Sequence, residues 1–264
     1  MIDRRGFITQ AITIGATGLV FPSEILSDDK ALTSAPTSSS TRPKALFFDV
    51  NETLLDLGPV KKSIAAVLGD KADLATLWFT TMLHYSLVVT VSGKYHDFGA
   101  IGVAALQMVA QNNSIKISKD DAIAAVRPIL NLQPHPDVVA GLTKLKENGY
   151  TLVSFTNSSK KAVQTQLQYA GLTEFFHMQL SIEELEKFKP HKDAYAWAAK
   201  QLDIENRECL LVAAHGWDVA GAAWAGWRTA FISRAGQQLF PLAPEPEFNE
   251  PDLQKIAASL CVLK

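Results

Sequence analysis

A doubly wound α/β fold, a parallel sheet carrying an all-helical insertion after its first strand, is predicted by three features of the sequence. Short apolar runs recur as buried strands, helical patterns alternate with them, and the first interval between strands is far longer than the others. "KALFFDV" (44–50) is a continuous apolar run, as expected of a central parallel strand covered on both faces. "YTLVSFT" (150–156), "CLLVAA" (209–214) and "TAFIS" (229–233) are three more, each followed by a helix signal or a turn. Among the helices between them, "PDVVAGLTKLKENG" closes on Asn-Gly, a common helix stop, while "SSKKAVQTQLQYAG" and "HKDAYAWAAKQLD" carry apolar residues at helical spacing. Strands alternating with helices in this way imply a parallel sheet with helices on both faces.

Residues 58 to about 134 break the rhythm. They contain helical patterns such as "KADLATLWFTTMLHYSLVVTV" and "DDAIAAVRPILNL", no good strand, and the punctuation "QPHP" at 133–136. The expected organisation is a core of 44–57 and 135–264 with a helical cap of 58–134. Ligands of open α/β sheets bind beyond the carboxyl ends of the strands, so helices inserted there would form a lid.

The first 43 residues read differently. "DRRGFIT" precedes a mildly apolar stretch, "AITIGATGLVF", and the Arg4–Arg5 pair resembles a twin-arginine export signal, implying a periplasmic protein, with a cytoplasmic one as the alternative. "SEILSDDKALTSAPTSSSTRP" is rich in Ser, Thr and Pro without periodicity and is expected to be a disordered tether, the folded part starting near Lys44. No run of eighteen or more apolar residues marks a membrane span. With 25 basic against 27 acidic residues and no long basic run, nucleic acid is not an expected partner. Cys209 and Cys261 lie in apolar stretches without metal-type spacing and are expected to be buried, inert thiols.

Polar residues gather at the ends of the strands. Asp49 closes the first, with Thr53 four residues on; Thr156 and Asn157 close the second; Lys189 precedes Pro190; Asp218 follows the strand that ends at Ala213. An Asp at a strand end is more often a turn or cap residue. Four such clusters at successive strand ends point to one shared site.

In order and spacing these segments resemble the haloacid dehalogenase superfamily, over about 44–234, and within it the type II (L-2-haloacid) dehalogenases. The motifs are "FFDVNETLLD", "SFTNSS", "KPHKDAYAWA" and "VAAHGWDVAGA", with 33 residues from Thr156 to Lys189 and 62 from Thr156 to Asp218. The resemblance implies a Rossmann-like core, a small 2-halo acid as substrate, no cofactor, and leaves a homodimer open as the assembly. It implies Asp49 as nucleophile, forming an ester that water then hydrolyses to the 2-hydroxy acid. A carboxylate nucleophile needs nearby positive charge to stay ionised when buried. Lys189 would supply it, Thr53 would orient Asp49, and Asp218 would anchor Lys189 and help position the water. Thr156 and Asn157 would hydrogen-bond the substrate carboxylate or a developing oxyanion, and Tyr195 stands at the family's tyrosine position. Val50, Asn51, Phe79, Leu83, Phe98 and Trp217 would line the substrate.

Phosphatases of the superfamily carry a second Asp where this chain has Asn51. Halide leaves as a stable anion and needs no proton, so that acid can be absent. A hard dication wants several oxygen ligands, and Asn51 and Ala214 take two away, so no metal is expected. Two departures from the dehalogenase pattern stand out. Phe79, after Trp78 in "LWFTTMLHY", occupies the place of the Arg that receives the halide, and "AAH" (213–215) replaces Ser-Ser-Asn, with His215 at the Asn position. Loss of that cation would cost several kcal/mol of transition-state stabilisation. Three functions remain open on the sequence: a dehalogenase with another halide site, drawn from Phe79, Trp217 and either His84 or His215; a hydrolase of another ester or phosphate; or a weakly active binding protein.

Overall fold

The computed structural model describes residues 41–264, so the export segment and most of the expected tether lie outside the described residues. Six strands form one sheet: β1 (Ala45–Phe48), β2 (Thr151–Thr156), β3 (Met178–Ser181), β4 (Cys209–Ala213), β5 (Arg228–Ile232) and β6 (Phe248–Glu250). All pairings are parallel, in the order β3-β2-β1-β4-β5-β6. The order reverses beside β1, so the crevice beyond β1 and β4 is the place where such a sheet takes a ligand. β1 is buried along its whole length between β2 and β4, which is why its sequence is apolar on both faces.

The sheet is covered by α5 (Val138–Glu147), α6 (Lys160–Tyr169), α7 (Lys192–Gln201), α8 (Gly216–Trp224) and α9 (Leu253–Leu260). Between β1 and α5 the chain forms α1 (Gly58–Val67), α2 (Ala72–Val91), α3 (Phe98–Asn112) and α4 (Lys119–Val126), followed by a 3-10 turn at Arg127–Leu130. Local chemistry fixes their starts. The Asp97 carboxylate accepts from the Ala100 N–H ahead of α3, and Ser118 with Asp121 makes a reciprocal capping box ahead of α4. Against expectation, one segment among the described residues, α2, is long and apolar enough to cross a membrane. Here it packs through Leu74, Trp78 and Met82, while Leu77, Tyr85, Leu87 and Val91 are exposed.

Arg42 belongs to the folded part: its N–H donates to the Lys264 carbonyl at 2.9 Å and its guanidinium covers the Tyr150 ring. Two further expectations are adjusted. β3 and β6 have no counterpart among the sequence-predicted strands. Both cysteines are free, but only Cys209 is fully buried, its thiol pushed up to about 12 by burial; Cys261 is half-buried.

Candidate active site

Asp49 follows directly on β1, buried, and its two oxygens have different surroundings. Oδ1 is 3.1 Å from Lys189 Nζ. Oδ2 is 2.7 Å from Thr53 Oγ1 and 3.1 Å from His215 Nδ1. Lys189 Nζ also donates to the Phe155 carbonyl at 2.9 Å and to Asp218 Oδ2 at 2.6 Å, which uses all three of its protons. Asp218 Oδ1 accepts from the Tyr195 hydroxyl at 2.7 Å. Asp49, Thr53, Lys189, His215, Tyr195 and Asp218 therefore form one connected buried network, contributed by α7, α8 and the loops that follow β1, follow β4 and precede α7.

Two carboxylates share one ammonium, and burial sets the balance between them. Burial alone would raise the Asp49 carboxyl, but the Lys189 charge, then the His215 and Thr53 contacts, hold it well below the usual carboxylate range. Asp218 is raised, first by burial and then by the charge of Asp49, in spite of Lys189. Burial works against the Lys189 ammonium, yet the charges of Asp218 and Asp49 raise its pKa. The Tyr195 phenol is raised by burial and by Asp218, so it stays protonated and donates.

The loop after Asp49 is held from several sides. Thr53 Oγ1 accepts from the Ala214 N–H at 2.9 Å, so its own proton points at Asp49. The Thr53 carbonyl accepts from Arg234 Nη2 at 2.9 Å, and Arg234 is paired with Asp137 at 2.7 Å. Glu52 takes a left-handed backbone, φ 65°, in which a side chain is strained. Lys61 at 2.7 Å on its carboxylate and His135 at 3.0 Å on its carbonyl help to hold it there. At the opposite wall, Gly221 lets α8 approach the lysine loop: a Cβ there would lie 2.4 Å from Pro190 Cβ and 2.7 Å from the Tyr195 hydroxyl.

Not every expected side chain faces the carboxylate. Asn157 turns to the lysine loop, its Oδ1 accepting from the Lys189 N–H at 2.9 Å and its Nδ2 donating to the Lys189 carbonyl at 3.3 Å. It positions Lys189, and that bond uses one of the two N–H donors on its Nδ2. Asn51 is likewise engaged, by Ser158 Oγ at 3.1 Å and Gln166 Nε2 at 2.9 Å. Val50 is packed wholly into the core, and Leu83 is half-buried against it. Thr156 is buried at the end of β2, its Oγ1 accepting from the Ser158 N–H. Phe98 packs on Phe188, next to Lys189. A largely apolar cavity of about 350 Å³ includes Phe98, Met82, Val103, Ser158 and Gln166 in its lining, which does not include Asp49.

His84 is exposed and packs its ring on Tyr85, so it takes no part in the network. Phe79 does reach the site. Its ring stacks on His215 with centroids 5.8 Å apart, and Trp217 stacks on His215 at 5.2 Å, both at 23°. His215 Nε2 and Trp217 Nε1 are buried without a hydrogen-bond partner. The contacts missed from sequence are those of Ser158, Gln166, Arg234 and Asp137. Ser158 and Arg234 lie in stretches that resemble the family; Gln166 carries no signal of its own.

The network does not suit a hard dication. The Lys189 ammonium is bonded to both carboxylates, Asp218 has both oxygens engaged, and the Asn51 amide is turned to Ser158 and Gln166.

Comparison with known proteins gives the same direction. Residues 43–226 match the family model described as haloacid dehalogenase-like hydrolase. (S)-2-haloacid dehalogenase 1 of Pseudomonas sp. (strain CBS-3) is 29% identical over 204 residues, spanning 76% of this chain and 90% of that protein. Haloacetate dehalogenase H-2 of Moraxella sp. (strain B) is 26% identical over 220 residues, spanning 83% and 98%. The solved structure of L-2-haloacid dehalogenase from Xanthobacter autotrophicus superposes with a TM-score of 0.77, covering 84% of this chain and all of that one at 23% identity, a likeness of fold.

Proposed function

Because the chain belongs to the haloacid dehalogenase-like hydrolase family, we propose that it hydrolyses short 2-halo acids to 2-hydroxy acids through an ester on Asp49. The observation that carries this is the state of Asp49: a buried carboxylate at a strand end, kept ionised by Lys189 and oriented by Thr53. In a dry site such a group is a good nucleophile toward carbon. Its oxygen would displace halide from the substrate carbon, and water would then attack the ester carbonyl. Matches named as (S)-2-haloacid and haloacetate dehalogenases support that substrate class. Helices α1–α4 would serve as the cap, since α2 delivers Phe79 to the site.

A halide-release screen across 2-halo acids, run beside a generic phosphatase substrate with and without Mg²⁺, tests the proposal. Halide release that survives chelator is expected. Turnover of the phosphate alone, dependent on Mg²⁺, would replace dehalogenation by phosphoryl transfer. Export belongs to the same proposal: Arg4 and Arg5 would direct the folded enzyme to the periplasm, and cell fractionation with both arginines changed to Lys should find it retained in the cytoplasm.

Phe79 is the sharpest departure from the dehalogenase pattern. A guanidinium at this position would face the departing anion, so Phe79→Arg is expected to raise halide release in the first turnover by about 10-fold. Rapid-quench halide assay measures it, and an unchanged rate would place the halide acceptor elsewhere.

The acid limb of activity is expected to belong to Asp218. On lowering pH, the raised Asp218 gains a proton first, while Asp49, held low, remains ionised. The kcat/KM profile should therefore bend above the ordinary Asp value of about 3.9. The residual activity of Asp218→Asn should lack this bend; an identical bend in that variant would assign it to another group.

A further inference from the structure

We propose that the cavity between the helical insertion and α6 binds a medium-chain carboxylic acid, with the chain against its apolar walls and the carboxylate met by Arg127 and Lys161. The proposal is independent of the chemistry of Asp49, which is not in the lining.

The walls come from two parts of the chain. α3 supplies Phe98 and Val103, α4 and the turn after it supply Val126 and Ile129, and α6 supplies Ala162 and Gln166. Gln166 Nε2 donates to the Ile129 carbonyl at 2.9 Å, which ties that turn to α6. The cavity, about 350 Å³, is more than twice the ~150 Å³ that holds a benzene molecule, so it has room for roughly ten non-hydrogen atoms. An acid of about eight carbons has that size. Ile123, also in the lining, is 38% exposed, so apolar surface at this place is left for a ligand to cover.

The polar groups decide which end of the ligand goes where. Gln166 Nε2 spends both protons, one on Ile129 and one on Asn51 Oδ1 at 2.9 Å. The Thr165 hydroxyl gives its proton to the Lys161 carbonyl at 2.9 Å. Neither has a donor left for an anion inside the cavity, so a charged head belongs with the cations. Arg127 and Lys161 are both exposed, and neither has an ion-pair partner among the described residues. The lining also holds one acid, Asp97, whose Oδ1 is engaged by the Ala100 N–H at 3.1 Å. Two cations against one capped acid favour an anionic head group.

The position is close to the catalytic loops without entering them. Ser158 in the lining accepts from Asn51 Nδ2 at 3.1 Å, and Phe98 packs on Phe188. A bound chain would rest against residues that touch the Asp49 and Lys189 segments.

Isothermal titration of the full chain with sodium octanoate and sodium butanoate tests the proposal. Octanoate is expected to bind one to one, and butanoate at least about 50-fold more weakly, because four methylenes of apolar burial are missing. Arg127→Glu/Lys161→Glu should weaken octanoate by at least about 10-fold. Ala162→Trp, which fills the cavity, should remove binding; near-UV circular dichroism verifies that each variant is folded. Should Ala162→Trp fail to fold, the double reversal, confined to exposed side chains, decides alone. Absence of octanoate binding to the wild type would overturn the proposal, as would butanoate binding equally well. Octanoate affinity unchanged in the folded variants would do the same, since the acid would then sit elsewhere.

Discussion

Replacing Asp49 with Asn is expected to lower halide release by at least about 10⁴-fold while leaving the protein folded. An amide is a poor nucleophile, and the loss is chemical rather than structural. The buried network holds two carboxylates and one ammonium. Removing the Asp49 charge leaves Lys189 paired with Asp218 at 2.6 Å, a neutral pair in place of a net negative trio. The thermal midpoint of Asp49→Asn is expected to fall only modestly, because the charge of Asp49, held low by Lys189, favours the fold at neutral pH while Lys189 keeps Asp218 as a partner. Loss of activity with a collapsed midpoint would mean that Asp49 serves the fold and that its chemistry is untested by the substitution.

Lys189→Met should cost more stability than Asp49→Asn. The side chain is fully buried, and its loss leaves Asp49 and Asp218 facing each other without a counter-charge. Breaking a buried ion pair from one side costs about 3–5 kcal/mol, to be measured by urea unfolding at neutral pH. Activity should fall as well, because without the ammonium burial pushes the Asp49 carboxyl upward and its nucleophilic form is depleted. The double variant Lys189→Met/Asp218→Asn removes the repulsion and is expected to regain stability but not activity. Equal stability of the single variant and wild type would show that the pairs contribute nothing to the fold.

The parts of the fold legible in the sequence are those buried on both faces. β1, β2, β4 and β5 read as apolar runs because neighbours cover them on every side, and helices between them keep their period. β3 ("MQLS") and β6 ("FNE") are the two edges of the sheet, short and partly polar, and give no comparable signal. α2 combines core residues such as Trp78 and Met82 with exposed apolar ones such as Leu77 and Val91, so its composition is that of a span although it packs on the protein.

The site divides in the same way. Asp49, Thr53, Lys189, Tyr195 and Asp218 were legible because each sits at a strand end or in a motif with family spacing. Where their neighbours point was not. Asn157 reads as a substrate donor in the sequence, and only the placement of the Lys189 backbone shows that it also braces the lysine loop. Asn51 meets Gln166 across 115 residues, a contact no local pattern encodes. The Phe79–His215–Trp217 stack joins two departures from the family pattern that look unrelated along the chain and become one feature in space.

The measurement that bears most directly on the mechanism is the origin of the oxygen in the product. With enzyme in excess over a 2-halo acid in ¹⁸O-labelled water, a single turnover through the Asp49 ester places the label in the Asp49 carboxylate and leaves the 2-hydroxy acid nearly unlabelled. Mass analysis of the product and of the Asp49 peptide reads both. Label in the hydroxyl of the product during that first turnover, with none in Asp49, would mean that Asp49 activates water against the substrate carbon, and the ester mechanism would be wrong.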